Sequence, residues 1–264
     1  MNRKIRLVWA TTMTSLLVAC GGGSDSTAAS GGSNSTATAE GVYQGTLTPV
    51  GTATSTDFLG VILENGDLWA LYGTKSSGSF QIIGFVQGTG SSSGGTSYAS
   101  SNAKDFGDNP PTSAAVTATF ASSPKTINGQ AAGAASFTGG PLTGSTYNYF
   151  TAANLSSIDG QWGMTTGGGS SVTLTVSASR KTLSGSAGGC DFSGPIQPRA
   201  SGKNVFDVTL SVSAKAGQAC STPGSWTGVA LAIPVGTNST QLLFTGVASD
   251  RTTGTWAYGT RTNP

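Results

Sequence analysis

The side chains of this 264-residue chain that could perform chemistry are eleven carboxylates, three cysteines and thirteen lysines and arginines, because it contains no histidine. A Ser-His-Asp or Cys-His nucleophile, a two-histidine metalloprotease helix and a Cys/His zinc site each require an imidazole. The sequence therefore excludes these classes of active site. A catalytic site in this chain would have to use paired carboxylates, a lysine or a metal held by oxygen ligands.

Two groups of carboxylates are close enough in sequence to be considered as sites. Glu64 and Asp67 flank Asn65-Gly66, and paired carboxylates perform acid-base chemistry in glycosidases. A pair at the tip of an exposed hairpin is more typical of a solvated turn. Asp105 and Asp108 offer oxygen ligands for Ca²⁺, but they lack the spacing and the closing Glu of an EF-hand loop. The sequence thus predicts no catalytic residue, no metal site, no cofactor and no enzymatic activity.

The first twenty residues have the pattern of a secretion signal. A basic start at residues 1–6 precedes an apolar run at residues 7–18, which is too short for a mature membrane span. The run ends in Leu17-Val18-Ala19-Cys20, which resembles the lipobox of bacterial lipoproteins. The resemblance implies that residues 1–19 are a signal peptide cut before Cys20, and that acyl chains such as palmitate are attached to Cys20.

The same resemblance implies a location. It places the protein in a Gram-negative cell envelope, and Gly21 instead of Asp after the cysteine indicates sorting to the outer membrane. Residues 20–39 contain mostly Gly, Ser, Thr and Ala and predict a disordered, flexible tether. Several acyl chains anchor a protein far more firmly than one. The expected membrane partner is therefore lipid, through acylated Cys20, and both faces of the outer membrane are compatible with the sequence.

The two remaining cysteines are Cys190 and Cys220. An even pair in an oxidising compartment predicts a disulfide bond. A reactive thiol is the alternative, but no histidine or basic cluster lies nearby in sequence to lower a thiol pKa.

Charge provides no further partner. Arg3, Lys4 and Arg6 belong to the removable segment, so the mature chain has ten basic against eleven acidic residues, a net charge of about −1. Only 9% of the residues are charged, and a nucleic-acid-binding surface needs far more basic side chains than this. We therefore expect no nucleic-acid partner.

The body of the chain predicts antiparallel β structure. Short alternating apolar and polar runs recur between Gly-, Ser- and Asn-rich turns, and no segment has a sustained helical repeat. This pattern is typical of a barrel or a sandwich. The clearest hairpin spans residues 58–74, where a two-residue type I′ turn at Asn65-Gly66 would place Leu63 opposite Leu68 and Ile62 opposite Trp69.

Internal similarity indicates two β modules. Residues 116–129 align without gaps to residues 172–185, and residues 58–74 share shorter matches with residues 244–260. Gly41-Val42-Tyr43 and Gly160-Gln161-Trp162 read as equivalent opening strands. We therefore predict an N-terminal module at residues 40–155 and a C-terminal module at residues 156–264; one continuous β domain is the alternative.

The body is similar to a group of uncharacterised β-rich proteobacterial lipoproteins, most clearly in residues 189–194 and 200–206. That resemblance implies no activity. The anchor, tether and β content also resemble those of surface lipoproteins that bind host proteins, such as transferrin-binding lipoproteins, without assigning any binding residue. Aromatic residues could line a pocket, although their usual role is the core: Trp69, Tyr72, Trp256 and Tyr258.

The expected function is therefore a non-catalytic binding or adhesion module held at the outer membrane, with an unknown protein, glycan or small-molecule ligand. A structural or assembly lipoprotein of the periplasmic envelope is the alternative. A hydrolase is the least supported function, since the acids are scattered and histidine is missing.

Overall fold

The computed structural model describes residues 37–220 and 222–262. These residues form nineteen strands and one turn of 3-10 helix at Leu155–Ser157. All strand pairs are antiparallel. The predicted all-β barrel or sandwich architecture is confirmed. The predicted signal peptide, Cys20 and nearly all of the predicted tether lie outside the described residues.

The first eleven strands form one curled sheet. They are β1 (Gly41–Pro49), β2 (Thr56–Ile62), β3 (Asp67–Ser76), β4 (Ser79–Thr89), β5 (Ser91–Ser93), β6 (Ser97–Ser100), β7 (Lys104–Asp105), β8 (Thr112–Ser113), β9 (Val116–Ser122), β10 (Lys125–Ala131) and β11 (Ala135–Gly140). Their order is β5-β6-β9-β10-β11-β1-β2-β3-β4-β7-β8. β4 lies near one end of this order and β5 lies at the other end, where it pairs with β6, yet only Gly90 separates β4 from β5 in sequence. The sheet must therefore curl until its two ends approach each other, and it forms a half-barrel.

The last eight strands form a closed barrel in sequence order. They are β12 (Gly160–Thr166), β13 (Ser171–Ser177), β14 (Thr182–Ala187), β15 (Cys190–Pro198), β16 (Phe206–Ala214), β17 (Gly224–Val235), β18 (Ser239–Ala248) and β19 (Gly254–Thr262). β12 and β19 close the barrel through the pairs Thr165–Tyr258 and Thr166–Ala257. Closure leaves these strands without a free edge.

Three hydrophobic cores follow from the alternation of side chains along these strands. One core fills the barrel and includes Trp162, Val176 and Leu242. A second lies inside the half-barrel, and a third lies between the outer wall of the barrel and the half-barrel. On β17, for example, Ala230 belongs to the barrel interior and Leu231 to the core between the sheets.

A buried glutamine fixes the two sheets against each other. Gln241 of β18 is 2% exposed. Its Oε1 accepts a hydrogen bond from the Phe80 backbone N–H at 2.8 Å, and its Nε2 donates to the Phe80 carbonyl at 2.8 Å. The side chain thereby pairs with a β4 backbone unit as a neighbouring strand would. Both sheets belong to one compact unit, and the boundary between modules at residue 155/156 stays a prediction.

The two hairpins aligned by sequence have the same register. Ala121 pairs with Thr126 in the β9–β10 hairpin. The residues 56 positions later, Ser177 and Thr182, pair in the same way in the β13–β14 hairpin. The shorter match between residues 58–74 and 244–260 does not extend to the strand register. Trp69 pairs with Val61, but the corresponding Trp256 pairs with Thr245 instead of Val247, the residue that aligns with Val61.

The two opening strands share an aromatic arrangement. Tyr43 of β1 donates its hydroxyl to the carbonyl of Ala39, and Trp162 of β12 donates its Nε1–H to the carbonyl of Ile158, so each ring binds the backbone four residues earlier. Both aromatic residues follow two positions after a glycine with positive φ. Burial raises the pKa of Tyr43 to about 12.

A cation covers each of these rings. The Lys125 Nζ lies 4.6 Å from the centroid of the Tyr43 ring, and the Arg261 Cζ lies 4.1 Å from the centroid of the Trp162 ring. Each cation also donates to the carbonyl of the residue just before the opening strand, Glu40 or Asp159. The interpretation of β1 and β12 as equivalent strands thus has a side-chain counterpart.

The predicted two-residue turn at Asn65-Gly66 is wrong. Leu63 N–H donates to the Asp67 carbonyl, and Ile62 pairs with Leu68, so the loop contains three residues and the register shifts by one. Of Asn65 and Gly66, only Gly66 has positive φ (86°), whereas a type I′ turn needs both. Asn65 accepts a hydrogen bond from the Asp67 backbone N–H and closes the three-residue loop.

Strands β5–β8 were not predicted. They contain two to four residues each, in a segment rich in Ser and Gly. Runs this short cannot display an alternating pattern. Their pairing depends on partners distant in sequence, such as β9 for β6.

The predicted disulfide bond between Cys190 and Cys220 is confirmed. It joins the first residue of β15 to the loop between β16 and β17. Among residues 37–220 and 222–262 no helix is long and apolar enough to cross a membrane.

Candidate binding cleft

A cleft of about 250 Å³ opens where the half-barrel meets the outer wall of the barrel. The half-barrel contributes the β2–β3 hairpin through Leu63, Asp67 and Trp69. The barrel contributes neighbouring positions on three strands and the residue after β15: Pro195, Gln197, Arg199, Asp207, Val208, Thr209, Thr227, Gly228 and Val229.

The polar wall of the cleft is set by the pleat of the barrel. On β16, Phe206, Val208 and Leu210 belong to the barrel core. The alternate positions Asp207 and Thr209 therefore face outward. Cross-strand pairing then places Gln197 beside Asp207 and Thr227 beside Thr209. Four polar side chains thus form a patch on a rigid sheet.

Arg199 lines the cleft and connects the two sheets. Its Nε donates to both carboxylate oxygens of Glu64, at 2.8 and 3.0 Å, and its Nη1 donates to Asp207 Oδ1 at 2.7 Å. The Arg199 side chain is 13% exposed. A guanidinium held between two carboxylates is fixed in position and charge.

The environment of Glu64 keeps it ionised. Burial by itself would raise the pKa of Glu64, but hydrogen bonds from its own backbone amide, from Ser201 and from Arg199 hold that pKa below its ordinary value. A general acid in a glycosidase needs a raised pKa instead. The geometry around Glu64 therefore favours a structural ion pair over acid catalysis.

Asp67, on the half-barrel side of the cleft, belongs to a second hydrogen-bonded group. Thr89 Oγ1 donates to Asp67 Oδ1 at 2.7 Å, and Asn65 Nδ2 donates to Asp67 Oδ2 at 2.8 Å. Gly66 lies so close to β4 and β5 that an added Cβ would be 2.1 Å from the Gly90 carbonyl oxygen. These contacts fix the hairpin above the barrel wall.

The apolar floor of the cleft includes Trp69. This side chain is 6% exposed, and its ring stacks on Phe85 at 6.2 Å. Its indole Nε1 is buried and has no hydrogen-bond partner within the described part of the chain. An unpaired N–H in a buried site costs free energy unless an acceptor reaches it.

The two other carboxylates that the sequence analysis considered and set aside, Asp105 and Asp108, lie outside the cleft. Asp105 accepts hydrogen bonds from the Tyr72 hydroxyl at 2.7 Å and from the Gly107 N–H at 2.8 Å, whereas Asp108 accepts from Thr112. In residues 37–220 and 222–262 no group of three or more Cys, Asp or Glu side chains is arranged to hold a metal ion.

The predicted aromatic residues divide between core and cleft. Trp256 packs against Phe85 in the core between the sheets, with Tyr258 at its margin. Trp69 belongs to both the core and the cleft.

Lys125 lies at the β9–β10 turn, where a lysine side chain is usually solvated, but its ammonium group is not free in solvent here. Its ammonium group is half-buried over the Tyr43 ring, and burial lowers the pKa of Lys125 while Glu40 opposes that shift. The turn holds it there because β10 begins beside the entry to β1.

Sequence reasoning identified Glu64 and Asp67 but missed Arg199, which forms ion pairs with both Glu64 and Asp207. The contact between Arg199 and Glu64 depends on the packing of the two sheets, because 135 residues of sequence separate them. No local pattern carries that information.

Comparisons with known proteins add no family to this description: no protein-family model matches the chain, and no curated protein sequence matches it.

Proposed function

We propose that this chain is a lipid-anchored protein of the Gram-negative outer membrane that acts by binding a ligand, without catalysis, in the cleft between its two sheets. The anchor is supported by the lipobox-like residues 17–20 and the basic and apolar segments before them. The binding activity is supported by the cleft.

One observation carries the binding proposal: the 250 Å³ cleft presents polar side chains from rigid strands, and ion pairs at its rim already fix the position of Arg199. Preorganised polar groups around a concave site are typical of binding sites. The carboxylates next to the cleft are engaged by Arg199, Thr89 and Asn65, which favours recognition over acid-base chemistry.

The binding proposal is tested by filling the cleft. Thr227 is exposed on β17 and lines the cleft, so Thr227→Trp should block it. Thr175 is an exposed outward residue of β13 on another part of the same barrel, and Thr175→Trp is the matched control. Full-length wild-type protein and both variants are compared for capture of envelope and host glycans, proteins and small molecules.

We expect Thr227→Trp to lose a ligand that Thr175→Trp retains. A ligand captured equally by all three proteins would place the binding site elsewhere, and the cleft proposal would fail.

The anchor is tested by metabolic labelling with a fatty acid. Cys20→Ala should remain an unprocessed and unlabelled precursor, whereas Cys190→Ser should be labelled like the wild type. Normal labelling of Cys20→Ala would refute the anchor. Protease treatment of intact and permeabilised cells then separates surface display from a periplasmic location, where the alternative role in envelope assembly would apply.

A further inference from the structure

Phe150 is a large apolar side chain that the fold leaves in solvent. It is 61% exposed, whereas the adjoining Tyr149 is 4% exposed. Its position is fixed, because the Phe150 N–H donates to Asn148 Oδ1 at 3.0 Å and the rings of Tyr149 and Phe150 meet edge to face at 5.1 Å. A single exposed apolar side chain needs no explanation by itself, so its neighbours decide its role.

Two lysines flank the Phe150 ring. The Nζ of Lys203 lies 4.7 Å from the ring centroid and the Nζ of Lys125 lies 5.6 Å from it. Both ammonium groups also contact Glu40, since Lys203 pairs with its carboxylate at 2.6 Å and Lys125 donates to its carbonyl at 3.2 Å. These three side chains, Phe150, Lys125 and Lys203, form an aromatic patch that adjoins Glu40.

The predicted tether joins the body at this same place. Ala39, just before Glu40, is fully buried. Its N–H donates to Ser92 Oγ at 2.9 Å, and its carbonyl accepts from the Tyr43 hydroxyl at 2.8 Å. The chain is therefore fixed to the body at Ala39 and Glu40, beside the aromatic patch.

The length of the predicted tether keeps the aromatic patch near the membrane. A flexible chain of the composition and length of residues 20–36 has an average end-to-end distance of about 20–25 Å. A link this short gives an effective concentration in the millimolar range, at which even a weak contact is occupied.

Exposed apolar side chains elsewhere lack this position. Val50 is 69% exposed, but it follows the last residue of β1, whereas the tether joins just before the first. Nine residues of strand separate these two points by about 30 Å. Val50 is therefore a suitable control for Phe150.

The aromatic patch has the chemistry of a bilayer interface. An aromatic ring can enter the boundary of the acyl chains, while lysine ammonium groups on their long stems remain at the headgroup phosphates. Lys125 and Lys203 against Glu40 leave one net positive charge. This charge is too small to select an anionic macromolecule, so the apolar ring is the main contact.

We infer that the aromatic patch docks on the lipid surface of the membrane that holds the anchor, with the Phe150 ring at the boundary of the acyl chains; this inference rests on the anchor in the proposed function. Docking gives the body one orientation on the membrane instead of free rotation about the tether.

The experiment uses full-length protein purified from bacterial membranes and reconstituted into vesicles of phosphatidylethanolamine and phosphatidylglycerol. A benzophenone crosslinker replaces Ala152, beside the aromatic patch, or Ala53, in the turn after β1; both alanines are exposed. Each crosslinker is combined with the wild-type sequence, with Phe150→Ser or with the matched control Val50→Ser. Mass spectrometry counts lipid adducts, flotation reports vesicle attachment, and thermal unfolding shows that each variant is folded.

We expect several-fold more lipid adducts at position 152 than at position 53. Phe150→Ser should lower the adducts at position 152 several-fold, and Val50→Ser should leave them unchanged. Every variant should float with the vesicles, because the acyl chains do not depend on Phe150.

The outcomes separate the docking from the anchor. Equal adducts at the two positions, or adducts at position 152 that Phe150→Ser leaves unchanged, would refute the docking while flotation supports the anchor. Wild-type protein that does not float would refute the anchor, and the inference with it. In intact cells, crosslinks from position 152 to another protein or to a second copy of this chain instead of lipid would assign the aromatic patch to a protein interface and refute the lipid contact.

Discussion

Arg199 shows how one side chain can define the rim of a site. It forms ion pairs with Glu64 of the half-barrel and Asp207 of the barrel, at 2.8 and 2.7 Å. Partly exposed ion pairs contribute little to stability by themselves. Their value here is positional, since they hold the hairpin at a fixed distance from the barrel wall.

The pair between Glu64 and Arg199 should make stability depend on pH. The pKa of Glu64 is lowered in the folded protein, so its contribution is complete above the ordinary carboxyl pKa and is lost as pH falls through the folded-state pKa. We expect Glu64→Gln to lower the free energy of unfolding by less than ~1 kcal/mol at pH ~7, and the difference from wild type to shrink as the pH falls below the ordinary carboxyl pKa.

Urea unfolding across this pH range measures the difference. Glu64→Gln made in an Arg199→Met background is the control, and it should show a weaker pH dependence, because the Glu64 backbone amide and Ser201 still lower the pKa of Glu64 but Arg199 no longer does. A difference between Glu64→Gln and wild type that stays constant with pH would contradict the assignment.

At the scale of elements, the β2–β3 hairpin is the part that brings the half-barrel to the cleft. Its three-residue loop depends on Gly66, which has φ of 86° and lies against Gly90. Gly90 also donates its N–H to the Gly66 carbonyl, and so does the hydroxyl of Tyr98. The loop is therefore held both by Gly90, between β4 and β5, and by Tyr98 of β6.

Replacing Gly66 by alanine separates the two reasons for glycine at this turn. Gly51 also has positive φ (79°), but its Cβ would meet nothing within 4 Å. Gly51→Ala should therefore cost only the left-handed conformation, about 1 kcal/mol. Gly66→Ala should cost a further ~1–3 kcal/mol, because its Cβ would collide with the Gly90 carbonyl.

Chemical denaturation of the two variants makes this comparison directly. Equal losses for Gly51→Ala and Gly66→Ala would show that the hairpin does not press against Gly90 in solution.

The disulfide acts between elements of the barrel. It ties the start of β15 to the β16–β17 loop over 30 residues of sequence. A loop of this length is expected to contribute about 3–4 kcal/mol by restricting the unfolded chain. We therefore expect Cys190→Ser to lower the free energy of unfolding by that amount.

Unfolding with and without a reductant provides the control. Reductant should bring the wild type to the stability of Cys190→Ser and leave the variant unchanged. Free thiols at both Cys190 and Cys220 in oxidised wild-type protein would contradict the bond.

At the scale of the whole molecule, the relation between the two sheets depends on the apolar layer between them and on Gln241. This layer combines residues of both halves, such as Leu71 and Phe85 with Leu231 and Leu243. Apolar packing alone tolerates sliding, because it is not directional. The two hydrogen bonds from Gln241 to Phe80 fix the register.

Gln241→Leu should lower the free energy of unfolding by about 2 kcal/mol, because it leaves the Phe80 N–H and carbonyl unpaired in a buried site. Gln161→Leu is the control, since Gln161 is exposed on β12, and we expect a change within ~0.5 kcal/mol. Urea denaturation measures both, and equal effects would show that Gln241 does not connect the sheets.

The sequence by itself determined the fold class, most strand positions and the disulfide. The alternation of apolar and polar residues along segments such as residues 206–212 is a local property. It identifies the buried and the solvent-exposed face of a strand without knowledge of the neighbouring strands. The pairing of Cys190 with Cys220 followed from a count once Cys20 was set aside. The repeated hairpins at residues 116–129 and 172–185 were visible for the same reason, because local sequence sets hairpin register.

The tertiary structure alone decided the cleft. Arg199, Glu64 and Asp207 converge because the half-barrel packs on the outer wall of the barrel, and this contact depends on shape and packing over more than 100 residues of sequence. The β2–β3 turn was also decided there: the Asn65-Gly66 pair permits two loop lengths, and the bonds of Gly66 to Gly90 and Tyr98 favour the three-residue loop. Local propensities determine where strands and turns form, but tertiary packing determines which polar side chains come into contact.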